Sequence, residues 1–149
     1  DLQDPTLSVP KVDLATAPRI LAALHGAIRA GLVRACHDLS EGGLGVAAAE
    51  MAFAGDLGLR LELSAAPRPA GLSDDATILF SESPTRFLAE VPARHSDAFE
   101  AALAGLPCAR VGLVAPAEAG LVVDSTGGQP LFKAGLEQLR AAWQSTAVI

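Results

Sequence analysis

Hydrophobic positions near the start of the chain recur at helical spacing. The pattern predicts a helix that begins after Thr16, a favourable N-cap residue, and ends at Gly31. Its apolar residues fall at i, i+1, i+4, i+7 and i+8 and are Ile20, Leu21, Leu24, Ala27 and Ile28. One apolar face of this kind is typical of a helix that docks on a sheet.

Farther along, apolar runs and alternating runs are separated by glycine and proline. The pattern predicts strands over 32–38, 58–63, 86–91, 108–115 and 120–125. It predicts helices over 43–54, 93–106 and 131–143, with a short helical segment at 74–80. The order αβαβ(α)βαββα favours an α/β (α+β) layered sandwich, in which helices cover a mixed sheet, over a doubly wound parallel sheet.

Length and composition bound the domain organisation. The chain has 149 residues, 50% of them hydrophobic, which suits a single domain with its own core. Residues 1–14 carry two prolines and no periodicity, so we expect an extended lead-in or linker there and one domain over 15–149. No apolar run spans a bilayer and the start shows no signal-peptide pattern, so we expect a soluble, cytoplasmic protein without a membrane partner.

Charge and cysteine content narrow the range of partners. The net charge is −6, the 11 basic residues are scattered and aromatic residues make up 4%, which argues against nucleic acid as a partner. A phosphate ligand would therefore need backbone N–H groups or a metal ion to supply positive potential. Cys36 and Cys108 have apolar neighbours, so we expect buried, reduced thiols.

The first candidate site lies where the strand 32–38 ends. Asp38 follows His37 there, and Ser40, Glu41, Gly42 and Gly43 then lead into a helix. Free N–H groups and the positive end of a helix dipole make such a turn suitable for phosphate. The alternative is that Asp38 or Ser40 caps the helix and Glu41 complements its dipole, without any ligand.

The second candidate site is the turn that precedes the strand 86–91. Glu82 and Ser83 lie in this polar turn, with Arg86 just beyond it. Glu82 has the chemistry to ligate magnesium or to accept a hydrogen bond from a ribose hydroxyl. The alternative is a solvated turn with a weak ion pair between Glu82 and Arg86.

Other polar residues suggest no site. Asp74 and Asp75 are expected to cap a helix, and Asp124 with Ser125 to begin a turn. His25 and His95 have no partners at metal-ligand spacing, and neither a P-loop nor a dinucleotide glycine motif is present in the sequence.

Several short motifs occur in the same order as in a known family. They are HDLSEGGL at 37–44, AEMA at 49–52, LFSES at 79–83 and RFL at 86–88. Together they resemble the phosphoribosylformylglycinamidine synthase family, and within it the last lobe, a C-terminal lobe of the aminoimidazole ribonucleotide (AIR) synthetase type. The resemblance runs from about Pro10 to Trp143, which is most of the chain.

The resemblance implies a ligase that uses ATP and Mg²⁺ to amidate formylglycinamide ribonucleotide with ammonia from glutamine. It implies as partners a ribonucleotide substrate, ATP, N-type lobes of the parent chain and a glutaminase component. In this family the nucleotide and magnesium sites lie largely on N-type lobes, so we expect the fragment alone to be inactive and to carry no catalytic residue. Rivals are the C-terminal lobe of another ATP-using enzyme of the superfamily and a structural lobe that binds no ligand.

The resemblance also implies roles for individual residues. It places Asp38 as a magnesium ligand and Glu82 and Ser83 on the ribonucleotide, next to the turn Ser40, Glu41, Gly42 and Gly43 whose N–H groups suit phosphate. Pro84 stands where the family's Glu-Ser-Gln triplet has glutamine, which removes an amide and a backbone donor. The lobe therefore either binds substrate, serves a pseudo-symmetric site for a structural nucleotide, or is chiefly architectural.

Overall fold

A computed structural model of the chain describes residues 11–146. The helices are α1 (Ala17–Arg29), α2 (Gly43–Gly55), α3 (Asp75–Phe80), α4 (Ser96–Ala102) and α5 (Leu136–Thr146). The strands are β1 (Ala35–Asp38), β2 (Gly58–Glu62), β3 (Phe87–Glu90), β4 (Gly112–Ala115), β5 (Leu121–Asp124) and β6 (Pro130–Ala134). Within these residues, no helix has the length and apolar character needed to cross a bilayer.

The strands form two separate sheets. Four of them pair in the order β4-β2-β5-β6, with β2 and β5 parallel and the other pairs antiparallel, so the predicted mixed sheet is confirmed. The other two, β1 and β3, form an antiparallel ribbon in which Ala35 pairs with Glu90 and Asp38 with Phe87. A ribbon of two strands is marginal by itself, and this one is supported by contacts with α2.

The core is centred on α2, which is apolar apart from Glu50 and contacts α3, α5, the ribbon and the mixed sheet. Its small residues Ala47, Ala48 and Ala52 are buried, as their size predicts for a helix that closely approaches its neighbours. The other residues of the central cluster are large and apolar, except for Ala66: Leu39, Leu44, Leu61, Leu63, Ile78, Leu79, Leu121 and Val123.

The end of the chain corrects one prediction. The segment 131–143 was expected to be a single closing helix, but Pro130–Ala134 is strand β6 and α5 begins only at Leu136. The turn after β5 is a hairpin, closed by a hydrogen bond from the Ser125 N–H to the Gln129 carbonyl, at 2.8 Å. The hairpin returns the chain antiparallel to β5, and pairing with β5 makes 130–134 a strand. The helical spacing of Leu136, Leu139 and Trp143 is real, but it applies only from Leu136 onward.

Helix α1 also differs from its prediction. Its buried residues are Ala17, Leu24 and Ala27, whereas Leu21 is 52% exposed. The helix packs most extensively against α4 rather than a sheet. Thr16 occupies the N-cap position without a side-chain hydrogen bond, and Asp13 accepts from the amides of Ala15 and Thr16, just before the helix. Of the predicted lead-in 1–14, residues 1–10 lie outside the described part of the chain.

Both cysteines are exposed, so the prediction of buried thiols is wrong. Cys36 lies on β1, where exposed and half-buried residues alternate, and it falls on the outward side. Cys108 lies in the segment before β4. At Cys36 the flanking apolar residues misled the prediction because a strand turns successive side chains to opposite faces.

Candidate functional site

The two turns singled out in the sequence lie side by side. Because β1 and β3 are antiparallel, the end of β1 adjoins the start of β3, and the Leu39 N–H donates to the Arg86 carbonyl at 2.9 Å. The Gly42 N–H donates to Glu82 Oε1 at 2.8 Å and joins the first turn to the second. What the sequence presents as two candidate sites is one site in the fold.

A cleft of about 360 Å³ opens between these turns. Four predicted site residues line it: Asp38, Ser40, Glu82 and Ser83. The remaining lining residues are Leu21, Leu39, Pro84, Thr85, Arg86 and Phe87. The predicted residues Glu41, Gly42 and Gly43 lie beside the cleft in the same turn and do not line it.

The paired glycines have a packing role. Gly43 has a φ of 59°, and a Cβ on it would lie 2.6 Å from the Ser81 carbonyl oxygen, at the end of α3. Gly42 has a φ of 72°, and its Cβ would lie 2.2 Å from Val46 Cγ2. The absence of side chains therefore lets the start of α2 press against the end of α3 in a left-handed backbone conformation.

The N-cap of α2 is not the Asp38 or Ser40 cap that the sequence suggested as an alternative. Its N-cap residue is Gly42 and receives no side-chain cap, so neither Asp38 nor Ser40 caps the helix through its side chain. Ser40 contributes its carbonyl, which accepts from the Gly43 N–H at 3.1 Å. Glu82 instead brings a carboxylate to the positive end of the helix dipole from another element.

Asp38 leaves its carboxylate available to the cleft. Its side chain is 63% exposed, and its ionic neighbour is His37, whose Nδ1 lies 3.5 Å from Asp38 Oδ1. The same Nδ1 lies 2.7 Å from the Asp38 carbonyl oxygen. The carboxylate is thus held at the end of β1 without a buried partner.

Arg86 shapes the second turn. Its Nη1 donates to the Ser81 carbonyl at 3.1 Å and to Ser81 Oγ at 2.8 Å. The ion pair between Glu82 and Arg86 that the sequence suggested as an alternative does not form, because the Glu82 carboxylate is bound to the Gly42 amide. Burial lowers the pKa of Arg86 from its ordinary value, and the side chain keeps its charge at neutral pH.

The turn carries backbone strain next to the cleft. Thr85 has a φ of 63°, a left-handed conformation that β-branched residues rarely adopt. Such strain persists where the surrounding structure fixes the backbone, and it is frequent at ligand sites. Here the ribbon on one side and the Arg86 contacts with Ser81 on the other hold Thr85 in place.

Residues 1–140 match the sequence model of the family described as AIR synthase related protein, C-terminal domain. The chain belongs to this family. The match covers nearly the whole sequence and includes both turns of the cleft, which confirms the predicted AIR synthetase type of C-terminal lobe and the predicted fold class.

Curated relatives of this AIR synthase C-terminal domain are phosphoribosylformylglycinamidine synthase subunits PurL. The protein from Thermosynechococcus vestitus is 38% identical over 139 residues, which covers 91% of this chain and 18% of that protein. The protein from Parafrankia sp. is 41% identical over 139 residues, covering 92% and 17%. The chain thus spans less than a fifth of the length of these relatives.

Solved structures share the fold. PurLQS from Thermotoga maritima superposes with a TM-score of 0.78 at 22% identity, covering 89% of this chain and 23% of that chain. Thermotoga maritima PurL complexed with FGAR gives 0.74 at 19% identity, covering 92% and 23%. Hydrogenase maturation protein HypE in complex with ATP gives 0.64 at 20% identity, covering 79% and 40%. These matches show the fold alone, because proteins with different names share it.

The donor set of the cleft fits a magnesium ion bound through few protein ligands. Among residues 11–146, no three His, Cys, Asp or Glu side chains are grouped closely enough to hold a metal ion. Mg²⁺ often keeps several waters and takes one or two carboxylates together with substrate phosphates. Asp38 and Glu82 line the cleft and are of that type.

One feature of the AIR synthase C-terminal domain escaped the sequence reasoning. The Glu50 carboxylate on α2 forms two side-chain hydrogen bonds. Its Oε2 lies 2.8 Å from His37 Nε2, and its Oε1 accepts from Trp143 Nε1 at 2.9 Å. It thereby connects the end of β1 to α5, far apart in sequence. The available signal was a lone carboxylate in an otherwise apolar helix, since a half-buried charge needs partners.

Proposed function

We propose that the chain is the C-terminal lobe of a phosphoribosylformylglycinamidine synthase, which amidates formylglycinamide ribonucleotide with ATP and glutamine in purine biosynthesis. The names of the curated relatives, at 38% and 41% identity, support this assignment. Complexes of Thermotoga maritima PurL with ATP, ADP and AMPPCP support a nucleotide in the parent enzyme. As parts of the proposal, the protein is cytoplasmic and has upstream N-type lobes and a glutaminase component as partners.

The observation that carries the proposal is the junction of the two turns. The hydrogen bond from Gly42 to Glu82 joins the two motif-bearing turns, and one cleft lies between them. Its lining includes Asp38, Ser40, Glu82 and Ser83. In our account this cleft binds a phosphorylated ligand, with Asp38 and Glu82 available to magnesium. A bound magnesium ion would offset the negative charge on phosphate.

The chain's own residues prepare this cleft. Antiparallel pairing of β1 and β3 holds Asp38 opposite Phe87, and Arg86 fixes the backbone at Ser81. Exposed hydroxyl groups of Ser40 and Ser83 offer hydrogen bonds to a sugar or to phosphate. Reacting groups are expected on other lobes of the parent protein, so the isolated lobe should bind without turnover.

A structural lobe without ligand is the second candidate, and one observation favours it. The glycine pair and Glu82, which the motifs mark most strongly, all have packing or hydrogen-bonding roles inside the lobe. The exposed Asp38 carboxylate is compatible with both candidates, because acidic side chains are normally solvated and His37 is its neighbour in either case.

The experiment is an assay of the polypeptide that carries this domain, expressed at the full length of its gene. Formation of ADP from ATP is followed with ammonia, magnesium and formylglycinamide ribonucleotide. We expect ADP formation that depends on the ribonucleotide and falls at least tenfold in Asp38→Asn. The matched control is Asp97→Asn on α4, which should keep wild-type turnover. A folded, full-length protein without ribonucleotide-dependent turnover would refute the proposed function.

A further inference from the structure

Arg86 is distinctive among the arginines of residues 11–146. Arg34, Arg60 and Arg140 form ion pairs with carboxylates. Arg68 donates to four backbone carbonyls of the loop that follows β2. Arg86 is half-buried and forms no ion pair with a described carboxylate. A partly desolvated cation without a counter-charge is costly, and an anionic ligand would offset that cost.

The hydrogen bonds of Arg86 leave a usable edge of its guanidinium. Both contacts with Ser81 are made by Nη1, and neither Nε nor Nη2 donates to a residue of the described part of the chain. Nε and Nη2 form a fork whose spacing matches two oxygens of a phosphate group. The bonds to Ser81 also restrict rotation of the guanidinium, so less rotamer entropy is lost when an anion binds.

The neighbouring carboxylates do not compete for this edge. Glu82 is bound to the Gly42 amide, and Asp38 is beside His37 at the other side of the cleft. These acids repel anionic ligands, phosphate included, unless a magnesium ion offsets their charge. They accept hydrogen bonds from the hydroxyl groups of a sugar, and Ser40 and Ser83 add further polar contacts. The cleft therefore suits a sugar that carries a phosphate.

We propose that Arg86 binds the phosphate group of a phosphorylated sugar in this cleft and so determines its preference for phosphorylated ligands. The inference rests on the proposed function for the view that the cleft is a ligand site. The sugar phosphate belongs either to a ribonucleotide without a purine base or to an adenine nucleotide. The chemistry at Arg86 is the same for both.

Calorimetry of the chain in magnesium chloride tests the proposal. The probes are ribose 5-phosphate and AMP, each compared with its unphosphorylated counterpart, ribose or adenosine. We expect each phosphorylated probe that binds to do so at least tenfold more tightly than its counterpart, and Arg86→Gln to remove that difference. A charge-assisted fork is worth about this much or more. Arg94→Gln, at an exposed arginine without a described partner, is the control and should retain the preference.

The two probes also separate the sources of the phosphate. Equal affinity for ribose 5-phosphate and AMP indicates a ribonucleotide that is recognised without a purine base, and tighter binding of AMP indicates an adenine nucleotide. Both results support Arg86 as the phosphate-binding residue. Absence of any preference for phosphorylated probes in the wild-type chain overturns it, as does an unchanged preference in folded Arg86→Gln.

A second measurement needs no variant, in case Arg86→Gln fails to fold. The NMR resonance of the Arg86 Nε–H should shift on addition of ribose 5-phosphate or AMP and stay unchanged with ribose. No shift at the highest concentrations of both phosphorylated probes overturns the proposal.

Kinetics of the full-length protein separate failure of this inference from failure of the proposed function. If the Arg86→Gln variant turns over the ribonucleotide with an unchanged KM, the inference alone is contradicted. Absent turnover together with Arg86-dependent binding contradicts the proposed function alone.

Discussion

The Gly42 amide and the Glu82 carboxylate, forty residues apart in sequence, are joined by a hydrogen bond of 2.8 Å. This contact ties the entry of α2 to the turn between α3 and β3. Since Asp38 and Ser40 precede Gly42, and Ser83 follows Glu82, the same contact sets the distance across the cleft. The geometry of the candidate site thus depends on one backbone donor and one carboxylate.

Replacing Glu82 should loosen this junction. Glu82→Ala leaves the Gly42 amide without its acceptor, and we expect a loss of about 1 kcal/mol in the free energy of unfolding. Chemical denaturation measures it. Glu41→Ala is the matched control, because Glu41 is exposed in the same turn and makes no hydrogen bond with a described residue. Equal losses in both variants would contradict the role of the Gly42 contact.

Gly43 should tolerate no side chain. A Cβ there meets the Ser81 carbonyl oxygen at 2.6 Å and the residue has a positive φ, so Gly43→Ala should cost about 2 kcal/mol or more. The control is Gly71→Ala, which has a φ of 86° but nothing within 4 Å of the added Cβ. The difference between the two unfolding free energies isolates the close approach of α2 to α3. A cost at Gly43 no greater than at Gly71 would show that this approach is not tight.

These two positions show what sequence reasoning can and cannot predict. The motif at 37–44 predicted the turn and the helix after it, because strand ends, glycine pairs and apolar runs are local signals. The family came from the resemblance of this motif and the later ones, taken together. That Gly42 would bind Glu82 was not predictable, since the contact depends on β1 and β3 pairing side by side in an antiparallel ribbon. The same limit applies to β6, whose five residues form a strand only because β5 lies next to them.

Asp74 should make stability depend on acid pH. The Thr77 hydroxyl and amide both donate to its carboxylate, which lowers the pKa of Asp74 below its ordinary value of 3.8. A lowered carboxyl pKa contributes stability that is present above the unfolded value and is lost as pH falls through the folded value. Asp74→Asn keeps an acceptor for Thr77 but no titrating group, so its stability should fall less between about pH 5 and pH 2.5.

Urea denaturation across that pH range checks this prediction. The wild-type chain should lose more stability toward low pH than Asp74→Asn does. Some dependence should remain in the variant, because hydrogen bonds with Thr16 and Ala15 likewise lower the pKa of Asp13. Parallel curves for the two proteins would contradict the assignment of Asp74 as a charged cap of α3.

Glu50 should couple β1 to α5. Glu50→Ala removes the acceptor of both His37 and Trp143, which should lower the melting temperature and shift the emission of Trp143 to longer wavelength as the indole gains water. Trp143 is the only tryptophan of the chain, so its fluorescence can be assigned directly. Gln144→Ala, on the exposed part of α5, is the control. An unchanged emission maximum in Glu50→Ala would contradict the link.

The central claim is that the two turns act together as one ligand site. Hydrogen–deuterium exchange of the full-length protein, with and without magnesium, ADP and formylglycinamide ribonucleotide, tests it most directly. The account predicts slower exchange in the presence of ligands at both 38–43 and 81–87, with no change in the hairpin turn at 125–129. Protection of neither turn, in protein that binds the ligands elsewhere, would contradict the claim and assign this lobe a structural role.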